Sequence, residues 1–277
     1  IRAKDRLLNL GIKTLPKNQN STSFVKEENL QLERPLSKRK NFHHTRANEL
    51  TQIGLMQEAR NEIGELQKTT QKNLTGILWL SQLYQQAQGY AESLRLLHLY
   101  KDFTTKPYEK DLSEKFWKQF FPLAYEEAIV VYTKSRKVDP FFVNGIIRQE
   151  SLFDSQALSP AGARGLMQIM PATGKKLYPK TKLKKPFKTD VLFDPDINIR
   201  LGVKYVSQLN KRFSNNGMHT LISYNAGPLV LKKWLKRFGH LSDQDVFIES
   251  IPYPETRRYV KHVLRNLGIY KALYSLS

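Results

Sequence analysis

Residues 139–151, with the sequence DPFFVNGIIRQES, predict an amphipathic helix that carries an acid in an unusual position. Asp139 is a favourable N-cap, and Pro140 suits the first helical turn. Apolar residues recur at helical spacing up to Glu150, so that side chain projects from the apolar face near the helix C-terminus. Partial desolvation and the negative end of the helix dipole both raise a carboxyl pKa there. A carboxyl that is protonated near neutral pH can act as a general acid.

A structural interpretation of the same residue is also open. Glu150 would then lie at the edge of the apolar stripe and pair with Arg148 or Arg164. The helical spacing does not separate this interpretation from the catalytic one.

Outward from this segment, the second half of the chain predicts helices only. Asp194 followed by Pro195 repeats the cap and first-turn signal, for a helix that runs through Arg212. A shorter helix ends at the pair Gly227 and Pro228. Alternating β-branched runs of useful length are missing from the sequence, which excludes a parallel sheet or a sandwich. The predicted fold class is all-α.

Composition excludes several classes of protein. The 277 residues include no cysteine, which rules out disulfide scaffolds, thiolate metal sites and cysteine nucleophiles. The mean hydropathy is −0.51, and no apolar run is long enough to span a bilayer. Lys and Arg total 45 against 25 Asp and Glu, a formal charge of +20 that favours a polyanionic partner.

Three regions are predicted along the chain. Residues 1–45 are polar and indicate an arm or a truncated linker, and the start at Ile1 suggests that a precursor N-terminus is missing. Residues 46–115 carry helical stripes, with turn glycines 54 and 89 at a spacing typical of stacked helix pairs. Residues 116–277 are denser in aromatic residues, with 26 basic and 12 acidic side chains, and indicate a second, more basic domain.

The sequence lacks the motifs of several common classes of catalytic site. Its six histidines form no His-x-x-x-His pair, and it has no Gly-rich phosphate loop and no Gly-x-Ser-x-Gly elbow. We therefore expect no metal and no cofactor. The lysine-rich segment 175–188 indicates either attraction to an anionic polymer or a solvated loop. Nucleic acid is not an expected partner, because no recognition motif accompanies the charge.

Three motifs carry a resemblance to a known family. They are Gln149-Glu150-Ser151 with residues 165–171 (GLMQIMP), residues 224–228 (YNAGP), and residues 249–252 (ESIP) with 255–257 (ETR). Their order and spacing resemble those of the C-terminal catalytic domain of the soluble lytic transglycosylases, which implies that residues 116–277 form such a domain. Residues 46–115 resemble the last helix pairs of that family's superhelical domain.

The resemblance implies a lysozyme-like, goose-type-like helical fold. It also implies cleavage of the β-1,4 bond between N-acetylmuramic acid and N-acetylglucosamine in peptidoglycan, with a 1,6-anhydromuramoyl product. Glu150 would act first as the acid and then as the base. Carried over onto this sequence, the residues that would bind substrate are Ser159, Gln168, Met170, Tyr224, Asn225, Glu249, Tyr253 and Tyr259.

Several alternatives stay open. Asp154 is expected to cap a turn, but if it faced Glu150 across the cleft, ordinary hydrolysis by a goose-type-like muramidase would return as an option. An inactive glycan-binding scaffold is a further alternative. Peptidoglycan strands and other cell-wall enzymes are the candidate partners, and the periplasm or cell envelope is the expected location.

Overall fold

The computed structural model describes residues 37–70, 73–103, 114–181, 186–241 and 243–275. Within these ranges the chain forms helices and turns without any β-strand, so the all-α prediction is confirmed. Two isolated backbone bridges stabilise a loop and do not form a sheet; they join Leu158 to Arg164 and Arg164 to Ile169. No helix of the described residues combines the length and apolar character needed to cross a membrane.

The chain divides into two compact units, residues 1–122 and 123–277. In the first unit, α1 packs on α2, α3 packs on α4, and α5 contacts both α3 and α4. Gly54 lies in the turn between α1 and α2 with φ +81°, and Gly89 directly precedes α4. The helices are α1 Lys38–Gln52, α2 Met56–Thr69, α3 Leu74–Gln86, α4 Tyr90–Phe103 and α5 Glu114–Phe120.

Two predicted boundaries differ from the structure. Helix α1 begins at Lys38, so the predicted arm is wrong for residues 38–45, because Ser37 caps this helix by accepting from the N–H of Lys40 at 3.4 Å. Residues 1–36 lie outside the described residues. Helix α5 packs within the first unit, which ends at Pro122, whereas the sequence analysis begins the catalytic domain at residue 116.

The second unit is built around α7 and α13, which pack on each other along the core. Helix α10 contacts α9, α11 and α13, and two short 3-10 turns, Tyr178–Thr181 and Thr189–Phe193, lead into α9. The helices are α6 Glu126–Lys134, α7 Pro140–Ser151, α8 Pro171–Leu177, α9 Pro195–Arg212, α10 Gly217–Ala226, α11 Pro228–Phe238, α12 Gln244–Glu249 and α13 Pro254–Tyr274.

The predicted starts of α7 and α9 are confirmed. The Asp139 carboxylate accepts from the N–H of Phe141 at 2.9 Å, and the Asp194 carboxylate accepts from Ile197 at 3.0 Å. Helix α7 is buried along most of its length, and it ends because Leu152 and Phe153 adopt left-handed backbone with φ of 51° and 65°. This abrupt end leaves Glu150 in the last turn of an otherwise buried helix.

Candidate active site

Glu150 is half-buried at the C-terminal end of α7. The pKa of its carboxyl is raised from 4.5 to about 7, mainly by burial and to a smaller extent by the nearby charge of Glu255. The Tyr259 hydroxyl opposes this rise, because a donor facing the carboxylate stabilises the charged form. At neutral pH, a large fraction of Glu150 therefore carries a proton while the side chain still reaches solvent.

Neither proposed arginine partner forms an ion pair with Glu150. Arg164 Nη1 lies 2.7 Å from Asp190 Oδ1. Arg148 is buried, and its nearest favourable electrostatic partner is Tyr270. The purely structural interpretation of Glu150 thus loses its expected partners, and the acid keeps its raised pKa.

The residue after Glu150 ties the helix end to the neighbouring loop. Ser151 Oγ donates to the carbonyl of Leu166 at 2.8 Å. This bond fixes the distance between the last turn of α7 and the loop of residues 157–170, which we call the site loop.

Reciprocal hydrogen bonds shape the site loop. The N–H of Ser159 donates to Ala163 O at 2.9 Å, while Ser159 Oγ accepts from the Ala163 N–H at 3.0 Å. Gln168 has a left-handed φ of 46°, and its amide Nε2 donates to Ala157 O at 3.1 Å and Gly165 O at 2.9 Å. These polar groups of Ser159 and Gln168 hold backbone, so both residues shape the loop.

Asn198 on α9 holds the site loop through hydrogen bonds to its backbone. Its buried amide Nδ2 donates to Leu192 O at 2.6 Å and Arg164 O at 2.9 Å, and its Oδ1 accepts from the Met167 N–H at 2.8 Å. The loop approaches so closely at Gly165 that a Cβ there would lie 2.2 Å from Leu192 O. Both polar atoms of the buried Asn198 amide are thus hydrogen-bonded to backbone groups.

Tyr224 holds the other side of Met167. The Tyr224 hydroxyl donates to the Met167 carbonyl at 2.7 Å, and its ring lies 5.4 Å from the ring of Tyr205. Burial raises the pKa of Tyr224 well above its ordinary value, and the charge of Glu150 raises it too. Tyr224 is therefore a neutral hydrogen-bond donor close to the acid.

Tyr259 on α13 is the second tyrosine beside Glu150. Its pKa is raised well above the ordinary value by burial and by the charge of Glu150. The Tyr259 hydroxyl is buried and has no well-oriented hydrogen-bond partner among the described residues. It nevertheless lies close enough to the Glu150 carboxyl to lower its pKa. The structure thus brings together Glu150, Tyr224 and Tyr259.

Asn225 follows Tyr224 and is oriented by a residue that the sequence analysis did not single out. Thr256 is buried in the first turn of α13, and its Oγ1 hydrogen-bonds to Asn225 Oδ1 at 2.6 Å. With the carbonyl oxygen of the Asn225 amide occupied by this bond, its Nδ2 is the group left to face a ligand.

The remaining predicted residues are more exposed. Met170 and Tyr253 expose 42% and 53% of their surface, and Tyr253 packs edge-on against Trp234 with ring centroids 5.1 Å apart. Exposed Glu249 forms an ion pair with Lys261. Among the described residues, no hydrogen bond, ion pair or ring contact joins these three side chains to Glu150, so their role in substrate binding stays a prediction.

Two carboxylates bear on the alternative of hydrolysis. Asp154 Oδ1 accepts from the N–H of Gln156 at 2.9 Å, which confirms the predicted turn-capping role. Glu255, in the first turn of α13, is exposed and acts electrostatically on Glu150. Sequence analysis missed Glu255, Thr256 and Asn198 as functional positions, although 255 and 256 lie inside a quoted motif.

The lysine-rich segment 175–188 is described only in part. Lys175 and Lys176 lie exposed in the last turn of α8, and Tyr178 packs edge-on against Phe187 at 5.3 Å. Residues 182–185 lie outside the described residues, so both interpretations of this segment stay predictions.

Comparison with known proteins finds similarity over part of the chain. Residues 127–247 match the family model of the Transglycosylase SLT domain. Over 163 residues, 58% of the chain, it is 36% identical to the soluble lytic murein transglycosylase of Escherichia coli strain K12. Over the matched residues, the chain is similar to the soluble lytic transglycosylases. It spans about a quarter of the length of that relative, since the match covers 25% of it.

Solved structures of the family extend the similarity. The 70 kDa soluble lytic transglycosylase Slt70 from Escherichia coli matches 97% of this chain and 40% of its own, with 28% identity and a TM-score of 0.72. The lytic transglycosylase Slt from Pseudomonas aeruginosa, solved as an inactive mutant with Gln in place of a Glu, matches 84% of this chain and 36% of its own, at 32% identity and a TM-score of 0.62. The lysozyme-like helical fold is thereby confirmed.

The family match is uneven across the site. The SLT-domain match ends at residue 247, so Glu255, Thr256 and Tyr259 lie beyond it. Helix α13 nevertheless carries Thr256, which bonds to Asn225, and Glu255 and Tyr259, which both act on the pKa of Glu150. The C-terminal helix therefore adds residues to the candidate site from outside the matched range.

Proposed function

We propose that this chain is a peptidoglycan lytic transglycosylase. It would cleave the bond between N-acetylmuramic acid and N-acetylglucosamine without water, leaving a 1,6-anhydromuramoyl end. The observation that carries the proposal is the half-buried Glu150, whose pKa is about 7, in a chain similar to soluble lytic transglycosylases. A group with a pKa near the working pH can give and take a proton with little loss in either direction.

The proposed reaction has two proton transfers and no other reactant. Protonated Glu150 donates to the glycosidic oxygen as the bond from that oxygen to C1 breaks. The 6-hydroxyl oxygen of the same muramoyl residue then bonds to C1, and the Glu150 carboxylate takes the hydroxyl proton. The acid ends the cycle protonated, and one glycan strand has become two shorter ones.

The neighbours of Glu150 support this cycle. Tyr259 faces the carboxyl and stabilises the charged form that exists between the two transfers. The Nδ2 of Asn225 is left to hold the sugar amide or hydroxyl groups, while the Tyr224 hydroxyl keeps the site loop in place. Exposed residues then contact neighbouring sugars: Met170, Glu249 and Tyr253.

Hydrolysis is the second candidate, and the position of Glu255 is what favours it. A carboxylate near the acid could activate a water for an inverting reaction. Glu255 is exposed and its role is testable by product analysis: hydrolysed ends are heavier than anhydro ends by one water.

Digestion of purified peptidoglycan sacculi followed by mass spectrometry tests the proposal. We expect anhydromuramoyl products from the unmodified protein and from Glu255→Gln. Glu150→Gln should keep the fold, measured by circular dichroism, and abolish product release. Glu126→Gln, at an exposed carboxylate in the first turn of α6, is the matched control and should leave the rate unchanged. Hydrolysed ends would move the chain to the muramidases, and binding without cleavage would favour a glycan-binding scaffold.

The location follows from the substrate. A protein that acts on peptidoglycan works in the periplasm or cell envelope, and we propose that compartment for this chain. Contacts with other cell-wall enzymes stay a prediction.

A further inference from the structure

Helix α11, Pro228–Phe238, presents an exposed face of unusual composition. Its opposite side is anchored in the unit, because Leu231 is 0% and Trp234 is 7% exposed. Every charged residue of the helix is basic. At 3.6 residues per turn, the exposed side chains occupy an arc of about 140° of the helix circumference. They are Leu229, Lys232, Lys233, Lys236 and Arg237, which we call the α11 face.

The α11 cations are not neutralised from within the described part of the chain. None of Lys232, Lys233, Lys236 and Arg237 has a carboxylate within 4.0 Å among the described residues, whereas lysines 118, 261 and 271 each pair with an acid. Four like charges on a short helix repel one another and cost stability in isolation. An anionic partner that lies against this face would remove that repulsion.

Leu229 narrows the class of partner. It is 69% exposed, and by helical geometry it lies near the middle of the basic arc, between the rows that carry Lys232 and Lys233. A soluble polyanion gains nothing from an apolar side chain among the cations it contacts. A bilayer surface accommodates both, since headgroup phosphates meet the cations while the leucine enters the interface.

We propose that the α11 face is a contact surface for an anionic phospholipid bilayer. The contact is peripheral, because Leu231 and Trp234 stay in the core and only Leu229 reaches into the lipid. The helix begins three residues after Asn225, so docking through this face would hold the candidate active site beside the membrane surface. That last consequence rests on the proposed function, whereas the lipid contact does not.

Sedimentation of the full chain with lipid vesicles tests the inference. The probes are vesicles of pure phosphatidylcholine and vesicles that also contain phosphatidylglycerol. We expect binding to the anionic vesicles only, weakened at 1 M salt, where screening is strong. Each basic side chain near an anionic surface contributes about fivefold in affinity, so Lys232→Gln with Lys236→Gln should lower it about 30-fold.

Two further variants make the test specific. Leu229→Ser should weaken vesicle binding while leaving the charge unchanged. Lys175→Gln with Lys176→Gln removes two exposed lysines from α8 and should leave binding unchanged. Circular dichroism and product release from sacculi report on folding independently of lipid. The inference is overturned if the α11 and α8 variants bind anionic vesicles equally, or if the unmodified chain does not bind them. It is also overturned if the α11 variants lose binding to the wall polymer but keep binding to anionic vesicles.

Discussion

Replacing Glu150 by Gln should stabilise the protein in alkaline solution and not in acid. The pKa of Glu150 rises from 4.5 to about 7 on folding. Below pH 4.5 the carboxyl is protonated in both states, so it contributes no pH dependence. Between 4.5 and 7 the folded state keeps a proton that the unfolded state has lost, so the free energy of unfolding falls as the pH rises. At 1.36 kcal/mol per pH unit, the full cost above pH 7 is about 3 kcal/mol.

Glutamine resembles the protonated form and carries no such cost. We expect Glu150→Gln to raise the free energy of unfolding by about 3 kcal/mol at pH 8.5 and to change it little at pH 4. For a unit of this size the gain corresponds to a Tm increase of about 6–12 °C. Urea unfolding at the two pH values measures the difference directly.

Glu249→Gln is the matched control for this measurement. Glu249 is exposed and its ion pair with Lys261 lies at the surface, so its loss should matter by about 1 kcal/mol or less. A gain from Glu150→Gln of equal size at both pH values, or none at pH 8.5, would refute the claim that burial holds Glu150 protonated.

Three other variants probe the neighbours of the acid. Tyr259→Phe removes the donor that lowers the Glu150 pKa, so the alkaline limb of kcat/KM should move up by about one pH unit; a pH–rate profile measures this, and a downward move contradicts it. Thr256→Val frees the Asn225 amide to rotate and should lower kcat/KM about tenfold, with Thr256→Ser restoring most of it; equal loss in both variants would indicate a packing role. Asn198→Ala leaves backbone groups at Arg164, Met167 and Leu192 without hydrogen-bond partners. It should therefore lower the free energy of unfolding, measured by urea titration, by about 3 kcal/mol or more. A decrease of less than about 1 kcal/mol would contradict this.

Local signals predicted the helix that carries the acid. The cap of Asp139, the position of Pro140 and the apolar stripe up to Glu150 each act within a few residues, so they are visible in the sequence and confirmed in the structure. The raised pKa of Glu150 follows from the same stripe, because a side chain on the buried face loses water.

Long-range pairs could not be predicted in this way. Met167 bonds to residues 31 and 57 positions away, and Arg164 chooses a carboxylate 26 positions away instead of Glu150. Such partners depend on how helices pack, which periodicity does not specify. The start of α1 was missed for a different reason: Ser37 before a basic run is a capping signal as well as a linker signal, and the interpretation favoured the linker.

Two helices hold residue 167 through its peptide group rather than through its side chain. The N–H binds α9 and the carbonyl binds α10, so most substitutions at this position would leave both hydrogen bonds intact. Proline alone would delete the first of them. The Met167 side chain has little space around it, because a Cβ at Gly202 would lie 2.1 Å from the Met167 sulfur. A saturation library at position 167 should therefore select for size and tolerate changes of apolar type, while a side chain at position 202 would require Met167 to move.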